Sequence, residues 1–301
     1  MKIAVTTPTG HVGSAVANFL LDHGGNVKVK LLGRRAHTLT NLVRRGAEVA
    51  IGSQDDASYL ARATYDVDAL FWVTPPGYGS DNLRALQNRF GKAVASAVGS
   101  NQIGCVVNLS SLGAEWASGV GPINGLHDVE GLLNGAATNI VHLRPGFFFE
   151  NLLMQADSIR KWRRISLPIS GTRRFPMIAA ADIGQVAARL LLDRNWKGQG
   201  VRELHGPADL SFDQAAGILS EALGRKIVYV RCDPQDARQA ILASGASEDV
   251  AELLLEMYDA AETGRIRPLQ PRSAETTTST TLAEFAREVM LPLLAEPVTH
   301  G

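Results

Sequence analysis

The sequence predicts an α/β fold, a doubly wound parallel sheet followed by a smaller α+β lobe in the C-terminal half. Three observations carry this expectation. Six apolar runs in the first 145 residues, at 2–6, 27–32, 47–51, 68–73, 104–109 and 139–143, alternate with longer helical patterns. That alternation specifies parallel strands joined by right-handed crossovers. The first run leads into a glycine turn that opens a helix, the entry expected of a Rossmann sheet. After Pro145 the rhythm breaks, and 301 residues exceed one ordinary domain.

Element by element, the opening run Lys2 to Thr6 is stopped by Pro8 and Gly10, and Val12 to Leu21 reads as the first helix. Leu83 to Val98 is the longest helical pattern of this half. Ligands of such sheets sit at the carboxyl ends of strands, here Thr6 to Gly13, Gly33 to Arg35, Val73 to Gly79 and Asn108 to Gly113. Beyond Pro145, Phe148 to Trp162 reads as helical and Ile165 to Ile169 as a strand. A helix from Asp182 to Leu192 follows, with Asp182 as its N-cap. A strand at Val201 to Leu204, a helix at Ser211 to Leu223, a strand at Lys226 to Arg231 and helices near 233–244 and 247–263 come next. Thr276 to Thr281 reads as a loop before a last helix, Leu282 to Leu294. The division expected is a dinucleotide-binding domain over 1–150 and a substrate lobe over 151–301, with about 176–205 returning to the core.

Thirty basic residues balance thirty acidic ones, so no overall charge draws the chain to nucleic acid or an anionic membrane. Cys105 and Cys232 lie far apart and outside any Cys-x-x-Cys pair, which argues against a disulfide framework or thiolate metal site and for the cytoplasm. The amino-terminal apolar run is too short for a signal peptide or a membrane span. The histidines at 11, 23, 37, 127, 142, 205 and 300 show no ligand spacing, and no metal is expected. No Gly-x-Ser-x-Gly elbow marks a nucleophilic serine.

The strongest local signal is Thr6-Thr7-Pro8-Thr9-Gly10-His11-Val12-Gly13. Gly10 lets the backbone approach a diphosphate, Gly13 lets the helix pack on the sheet, and the N–H groups at the helix start receive the anion. Thr7 stands where the first glycine of the usual three would be, so a residue with a Cβ must make the turn. Thr7, Thr9, Gly10, His11, Val12 and Gly13 are therefore the candidate cofactor loop; the alternative is an ordinary strand-to-helix turn. The second strand ends in Arg34 and Arg35, where an NAD enzyme places an acid for the ribose hydroxyls. A guanidinium suits a 2′-phosphate, which favours NADP and leaves NAD possible. The pair also fits a solvated helix start, or stacking on adenine.

Taken in order, Thr9-Gly10-His11-Val12-Gly13, Val73-Thr74-Pro75-Pro76, Asn108-Leu109-Ser110-Ser111-Leu112-Gly113-Ala114, His127-Asp128-Val129-Glu130, Leu143-Arg144-Pro145-Gly146-Phe147-Phe148-Phe149-Glu150-Asn151, Ala181-Asp182-Ile183-Gly184 and Gly206-Pro207 form a series. Across nearly the whole chain it resembles the NmrA-like group of atypical short-chain dehydrogenases/reductases, including its quinone-reductase-like members. The resemblance implies a Rossmann core, a substrate lobe and a cleft between them. It places Thr74 and Pro75 along the cofactor, Ser110 and Ser111 facing the nicotinamide, and Pro145 to Phe148 closing over the ring, with Phe147 against the cofactor. Phe148, Phe149 and Asn151 would face a planar substrate. The serines serve equally as turn caps, and the phenylalanines as core between the lobes.

The Tyr-x-x-x-Lys pair of ordinary short-chain dehydrogenases is missing: Tyr59, Tyr65, Tyr78, Tyr229 and Tyr258 are followed four residues on by Ala63, Ala69, Asn82, Asp233 and Glu262. His127 falls where relatives carry a lysine or histidine. With Ser111, and with Glu130 one helical turn on to orient it, it is the candidate proton donor; the alternative is a polar helix residue meeting a backbone carbonyl. A quinone yields a delocalised phenolate that needs a weaker acid than an alkoxide, so a planar aromatic acceptor fits the missing tyrosine. The resemblance extends this to aromatic polyketide rings, some reduced to dihydroquinones that react with oxygen. The rival expectation is a non-catalytic NAD(P) sensor that regulates a protein partner, with Arg160-Lys161-Trp162-Arg163-Arg164, Arg173 and Arg174 as a docking patch.

Overall fold

The computed structural model describes residues 1–193 and 195–295. Its first half runs β1 (Lys2–Thr6), α1 (His11–His23), β2 (Lys28–Gly33), α2 (Thr40–Arg44), β3 (Glu48–Ile51), α3 (Ala57–Ala63), β4 (Ala69–Val73), α4 (Leu83–Ser100), β5 (Cys105–Leu109), α5 (Ile123–Asn134) and β6 (Ile140–Pro145). Then follow β7 (Phe147–Phe148), α6 (Ala156–Trp162), β8 (Arg164–Leu167), β9 (Arg174–Ile178), α7 (Ala180–Leu192), β10 (Gln199–Leu204), β11 (Asp209–Ser211), α8 (Phe212–Ala222), β12 (Val228–Arg231), α9 (Pro234–Ala243) and α10 (Glu248–Glu262). A last helical run comprises α11 (Leu282–Phe285), a π-helical turn at Ala286–Met290 and α12 (Leu291–Ala295).

Seven strands form one sheet in the order β10-β6-β5-β4-β1-β2-β3, and every pairing is parallel. The doubly wound expectation therefore holds. The strands read as unbroken apolar runs because both faces are covered. Ile3, Val5, Phe71 and Val107 pack towards Val16 and Leu20 of α1 and Ile183 and Leu191 of α7. Ala4, Leu70, Trp72 and Val106 pack towards Leu60, Phe90, Val94, Val129 and Leu133 on the other face. Helices α1 and α7 approach so closely that a Cβ on Gly184 would collide with Ala15.

One polar chain crosses this core. Asn108 Nδ2 donates to His142 Nδ1 at 2.9 Å, and His142 Nε2 donates to Asn134 Oδ1 at 3.0 Å. This arrangement uses the neutral imidazole, and burial, with a smaller contribution from Arg144 opposed by Glu130, pushes the His142 pKa down. The unfolded state then takes up a proton that the folded state refuses. Stability is retained above the unfolded pKa of about 6.5 and declines as pH falls through it. Urea midpoints measured between pH 7.5 and 5.5 should fall with pH, and His142→Asn should flatten that fall.

The second half builds its own core around Phe149, Ile159, Met177, Phe212, Leu219, Phe285 and Met290. Phe212 is central: Phe147 meets its ring edge-on at 5.4 Å and Tyr229 stacks on it at 5.0 Å. Two small sheets, β11-β9-β7 and β12-β8, frame this lobe. The segment between α10 and α11 is fastened back to the large sheet. Glu203 of β10 accepts from the Leu269 and Gln270 amides at 2.9 and 2.8 Å, and Thr277 makes a parallel bridge with His205. No helix among the described residues is long and apolar enough to cross a membrane.

Local corrections have local causes. Ala179, not Asp182, is the N-cap of α7; the Asp182 carboxylate instead takes the Thr280 amide and hydroxyl at 3.1 and 2.6 Å. The stretch expected as one helix from Phe148 starts with β7, continues as a 3-10 turn over Phe149–Gln155 and becomes α-helical only at Ala156. Strand β9 goes unforeseen because Pro176 sits inside it, and proline weakens a strand reading.

Candidate active site

The glycine loop lies at the carboxyl end of β1, where Thr6 Oγ1 donates to the Phe71 carbonyl and accepts from the Val73 amide at 3.0 and 2.8 Å, locking β1 to β4. Thr7 has φ +50°, the left-handed conformation a glycine would normally supply. Its carbonyl accepts from the Gly10 amide at 3.0 Å, and the chain folds back beneath α1. Gly13 fits only because it has no side chain: a Cβ there would overlap the Thr7 carbonyl oxygen and lie 2.8 Å from the Thr7 carbonyl carbon and 2.9 Å from the Thr6 oxygen. Helix α1 has no side-chain cap and no acid in its first turn, so its leading N–H groups and positive end remain for an anion. Thr7 Oγ1 is buried with no hydrogen-bond partner. A strained turn, a cradle that excludes a Cβ and an uncapped helix end suit a dinucleotide diphosphate. Val12 and Gly13 are buried, Thr9 and His11 exposed, as a backbone cradle requires.

Arg34 and Arg35 follow β2, both exposed. Thr74 accepts from the Trp72 indole N–H at 3.2 Å, and Thr74 and Pro75 are half-buried past the end of β4.

Past β5, the loop that follows it, α5 and β6 are coupled by a buried ion network. Ser110 Oγ donates to Glu130 Oε1 at 2.5 Å; Arg144 donates through Nε to the same oxygen at 3.0 Å and through Nη2 to Oε2 at 2.6 Å. Arg144 Nη1 reaches Glu115 at 3.2 Å. Burial opposes the Arg144 charge, but the hydrogen bonds and field of Glu130, with Glu115 and Glu203, outweigh it and raise the Arg144 pKa. The expectation that Glu130 orients His127 is thereby corrected, because its carboxylate points inward and is taken up by Ser110 and Arg144. Ser110 itself is buried, held in this network, whereas Ser111 is half-buried with its hydroxyl donating to the Leu112 carbonyl at 3.0 Å.

His127 meets a backbone carbonyl: Nδ1 lies 2.9 Å from the Ala114 oxygen, which can only accept, so Nδ1 carries hydrogen. Its ring also borders an open groove of about 550 Å³ between α4 and α5, with Asn88, Lys92 and Asp128. Arg84 grips Asp128 through Nε and Nη2 at 2.7 and 2.9 Å, which holds the Asp128 carboxyl below its ordinary range.

The phenylalanine run divides. Phe149 has no exposed surface and tilts against Phe285 at 5.4 Å, so its expected substrate role gives way to a core role. Phe147 and Phe148 are half-buried after Pro145, which is buried at the end of β6, and Asn151 is exposed. Glu150, in the motif after β6, holds the start of α7: both its oxygens accept from the Ala180 amide at 3.1 and 3.0 Å. Burial raises its pKa, opposed by that amide and by His11 of the glycine loop. Arg144 and Glu115 also escape sequence reasoning, since their partners come from a helix and a loop far along the chain. Among the described residues no three His, Cys, Asp or Glu side chains gather as a metal site; His300 lies outside those residues.

Comparison with known proteins places this geometry. The chain is 29% identical to an NAD(P)H azoreductase of Xenophilus azovorans over 287 residues, 95% of this chain and 96% of that one. It superposes on an NADPH-dependent quinone oxidoreductase of Escherichia coli, crystallised with NADPH, with a TM-score of 0.78 at 22% identity, covering 96% and 99% of the two chains. A Citrobacter triphenylmethane reductase complexed with NADP(H) gives a TM-score of 0.78 at 20% identity over 95% and 99%. The NmrA-like family model matches residues 1–286, and with the glycine loop and paired sheet ends it describes the chain almost throughout: the protein belongs to the NmrA-like family.

Proposed function

We propose that the chain is an NAD(P)H-dependent reductase of quinones and related planar aromatic compounds. The observation that carries this reading is the glycine loop, where a left-handed Thr7, a Gly13 that admits no Cβ and an uncapped α1 leave a backbone cradle for a diphosphate. The activities named for the azoreductase, quinone and dye-reductase relatives support it.

When bound, the reduced nicotinamide supplies a hydride. The chain's own residues would hold and shield that reaction: Thr7 to Gly13 would seat the diphosphate, Thr74 and Pro75 would hold the ribose, and Pro145 and Phe147 would stand by the nicotinamide. Ser111 stands on the loop after β5 and His127 on α5; as an imidazolium, His127 would release a proton from Nε2 while Nδ1–H stays on Ala114. No tyrosine lies between Ser111 and Pro145, so the acceptor must yield a weakly basic oxygen, as a quinone does. Ring systems of the anthraquinone type, as in aromatic polyketides, fall in this class, including those whose dihydroquinones then react with oxygen.

The test is steady-state oxidation of NADPH and NADH with a panel of quinones. Turnover of several planar quinones is expected; cofactor binding with turnover of none would overturn the reading in favour of a sensor acting on a protein partner. Arg34 and Arg35 are exposed and form no ion pair with another described residue, so they are available to a 2′-phosphate. Arg34→Ala should weaken NADPH by about tenfold while changing NADH little, as expected for one charge-assisted contact. Equal loss for both cofactors, read by fluorescence titration, would remove the 2′-phosphate role.

A further inference from the structure

A second cleft, separate from the glycine loop, has an electrostatic character that the reductase chemistry leaves unused. Ser170, Thr172, Arg173, Arg174 and Glu262 line an open space of about 480 Å³. Ser170 and Thr172 hydroxyls stand 3.0 Å apart. Arg174 commits one Nη to the Asp209 carbonyl at 2.5 Å. Arg173 is half-buried, and its Nε is enclosed with no hydrogen-bond partner. A buried guanidinium N–H left unpaired is costly, and the planar fork matches an oxyanion better than any other ligand.

The acids nearby do not satisfy it. Glu262 spends Oε2 on the Ser170 amide at 2.8 Å and Oε1 on Arg231 at 3.4 Å. Asp213 lies against Gly171 in the first turn of α8, and Asp209 is paired with Arg272.

The cleft is joined to the substrate edge of the sheet by residues 264–266. The Arg173 guanidinium rests on Gly264, where a Cβ would strike it. Arg265 stacks over Trp116 at 4.5 Å, and the Trp116 indole donates to the Arg265 carbonyl at 3.3 Å. Ile266 lies 3.1 Å from where a Cβ on Gly113 would be, two residues past Ser111. The loop that carries Ser111 and the wall that carries Arg173 are thus one packed unit.

We infer that Arg173, with Arg174 and the Ser170 and Thr172 hydroxyls, receives an oxyanion substituent of the aromatic substrate, a sulfonate, carboxylate or phosphate, and so selects anionic acceptors over their neutral parents. This rests on the reductase reading above. The test compares 1,4-naphthoquinone with its 2-sulfonate as acceptors for the wild-type protein, Arg173→Met and Arg173→Lys. Taking the ratio of kcat/KM values for the two quinones cancels their intrinsic reactivities. In Arg173→Met the sulfonate-to-parent ratio should fall by about 10- to 100-fold, the range for lost hydrogen bonds to a charged group, and Arg173→Lys should recover part of it. An unchanged ratio overturns the proposal.

Calorimetric titration with 2-naphthalenesulfonate in the presence of NADP reads the cleft without turnover, so a protein that reduces neither quinone still tests it. Binding by wild type that is lost in Arg173→Met supports the cleft even if the reductase reading fails. Inorganic sulfate binding as tightly as the aromatic sulfonate would show a free-anion site and overturn the substrate assignment.

Discussion

Gly13→Ala should lose NADPH binding at concentrations that saturate the wild-type protein, and should also unfold earlier. The added methyl has nowhere to go: it faces the carbonyl groups of Thr6 and Thr7, which belong to the backbone and cannot rotate aside. The Thr7 carbonyl is held by the Gly10 amide, and Thr6 is tied through its hydroxyl to the Phe71 carbonyl and the Val73 amide of β4. Relief requires the turn to open or α1 to lift from the sheet, and overpacking of this kind costs about 1–3 kcal/mol of stability. Each 1.4 kcal/mol drawn from the bound geometry is about a tenfold loss of affinity, so a weakening of about 5- to 150-fold is expected. Fluorescence titration with NADPH and a thermal melt measure the two effects. An unchanged dissociation constant would mean that the diphosphate does not use this turn.

Glu130→Ala should be the most destabilising single substitution of a polar side chain in the sheet region, by about 3–5 kcal/mol, because it strands the Arg144 guanidinium in the interior. Arg144 and Glu130 side chains retain only 11% and 8% of their exposure, and Glu115, at 3.2 Å, reaches a single nitrogen. Ser110 loses its acceptor at the same time. The decisive comparison is the double variant Glu130→Leu, Arg144→Met, which removes both charges and should regain most of the loss in urea denaturation. If the double variant is as unstable as the sum of its parts, the pair is not the reason for the loss.

These two sites show what the sequence could and could not reveal. Gly13 is legible because its constraint is local: a strand, a turn and a helix start follow one another, and the missing first glycine already points to strain at Thr7, which the φ of +50° bears out. The parallel sheet is legible for the same reason, since burial on both faces turns each strand into an apolar run. The Glu130 network is not, because Ser110, Glu115, Glu130 and Arg144 meet only once β5, β6 and α5 have packed. A spacing of three residues puts His127 and Glu130 on neighbouring helix positions, yet the ion pair to Arg144 outweighs any local contact between them. Phe147 to Phe149 fail differently: three adjacent aromatics look alike in sequence, and only the switch from β7 to a 3-10 turn sends Phe149 into the lobe core and leaves the other two half-buried.

The placement of β10 at the sheet edge has a consequence for biogenesis. Strand β6 ends at Pro145, but the partner that covers its open side begins only at Gln199. During synthesis at about 5–20 residues per second, the nascent chain therefore carries an unpaired parallel edge for roughly 3–10 s. The helix that shields α1 from water, α7, arrives within the same interval. A ribosome stalled after β6 has emerged but before Gln199 has would display a sheet with one edge ready to recruit another chain, the situation in which strand-to-strand aggregation begins. The seven-stranded sheet is thus finished only after the first part of the second half has been made, and holdase chaperones should engage nascent chains chiefly between these two points.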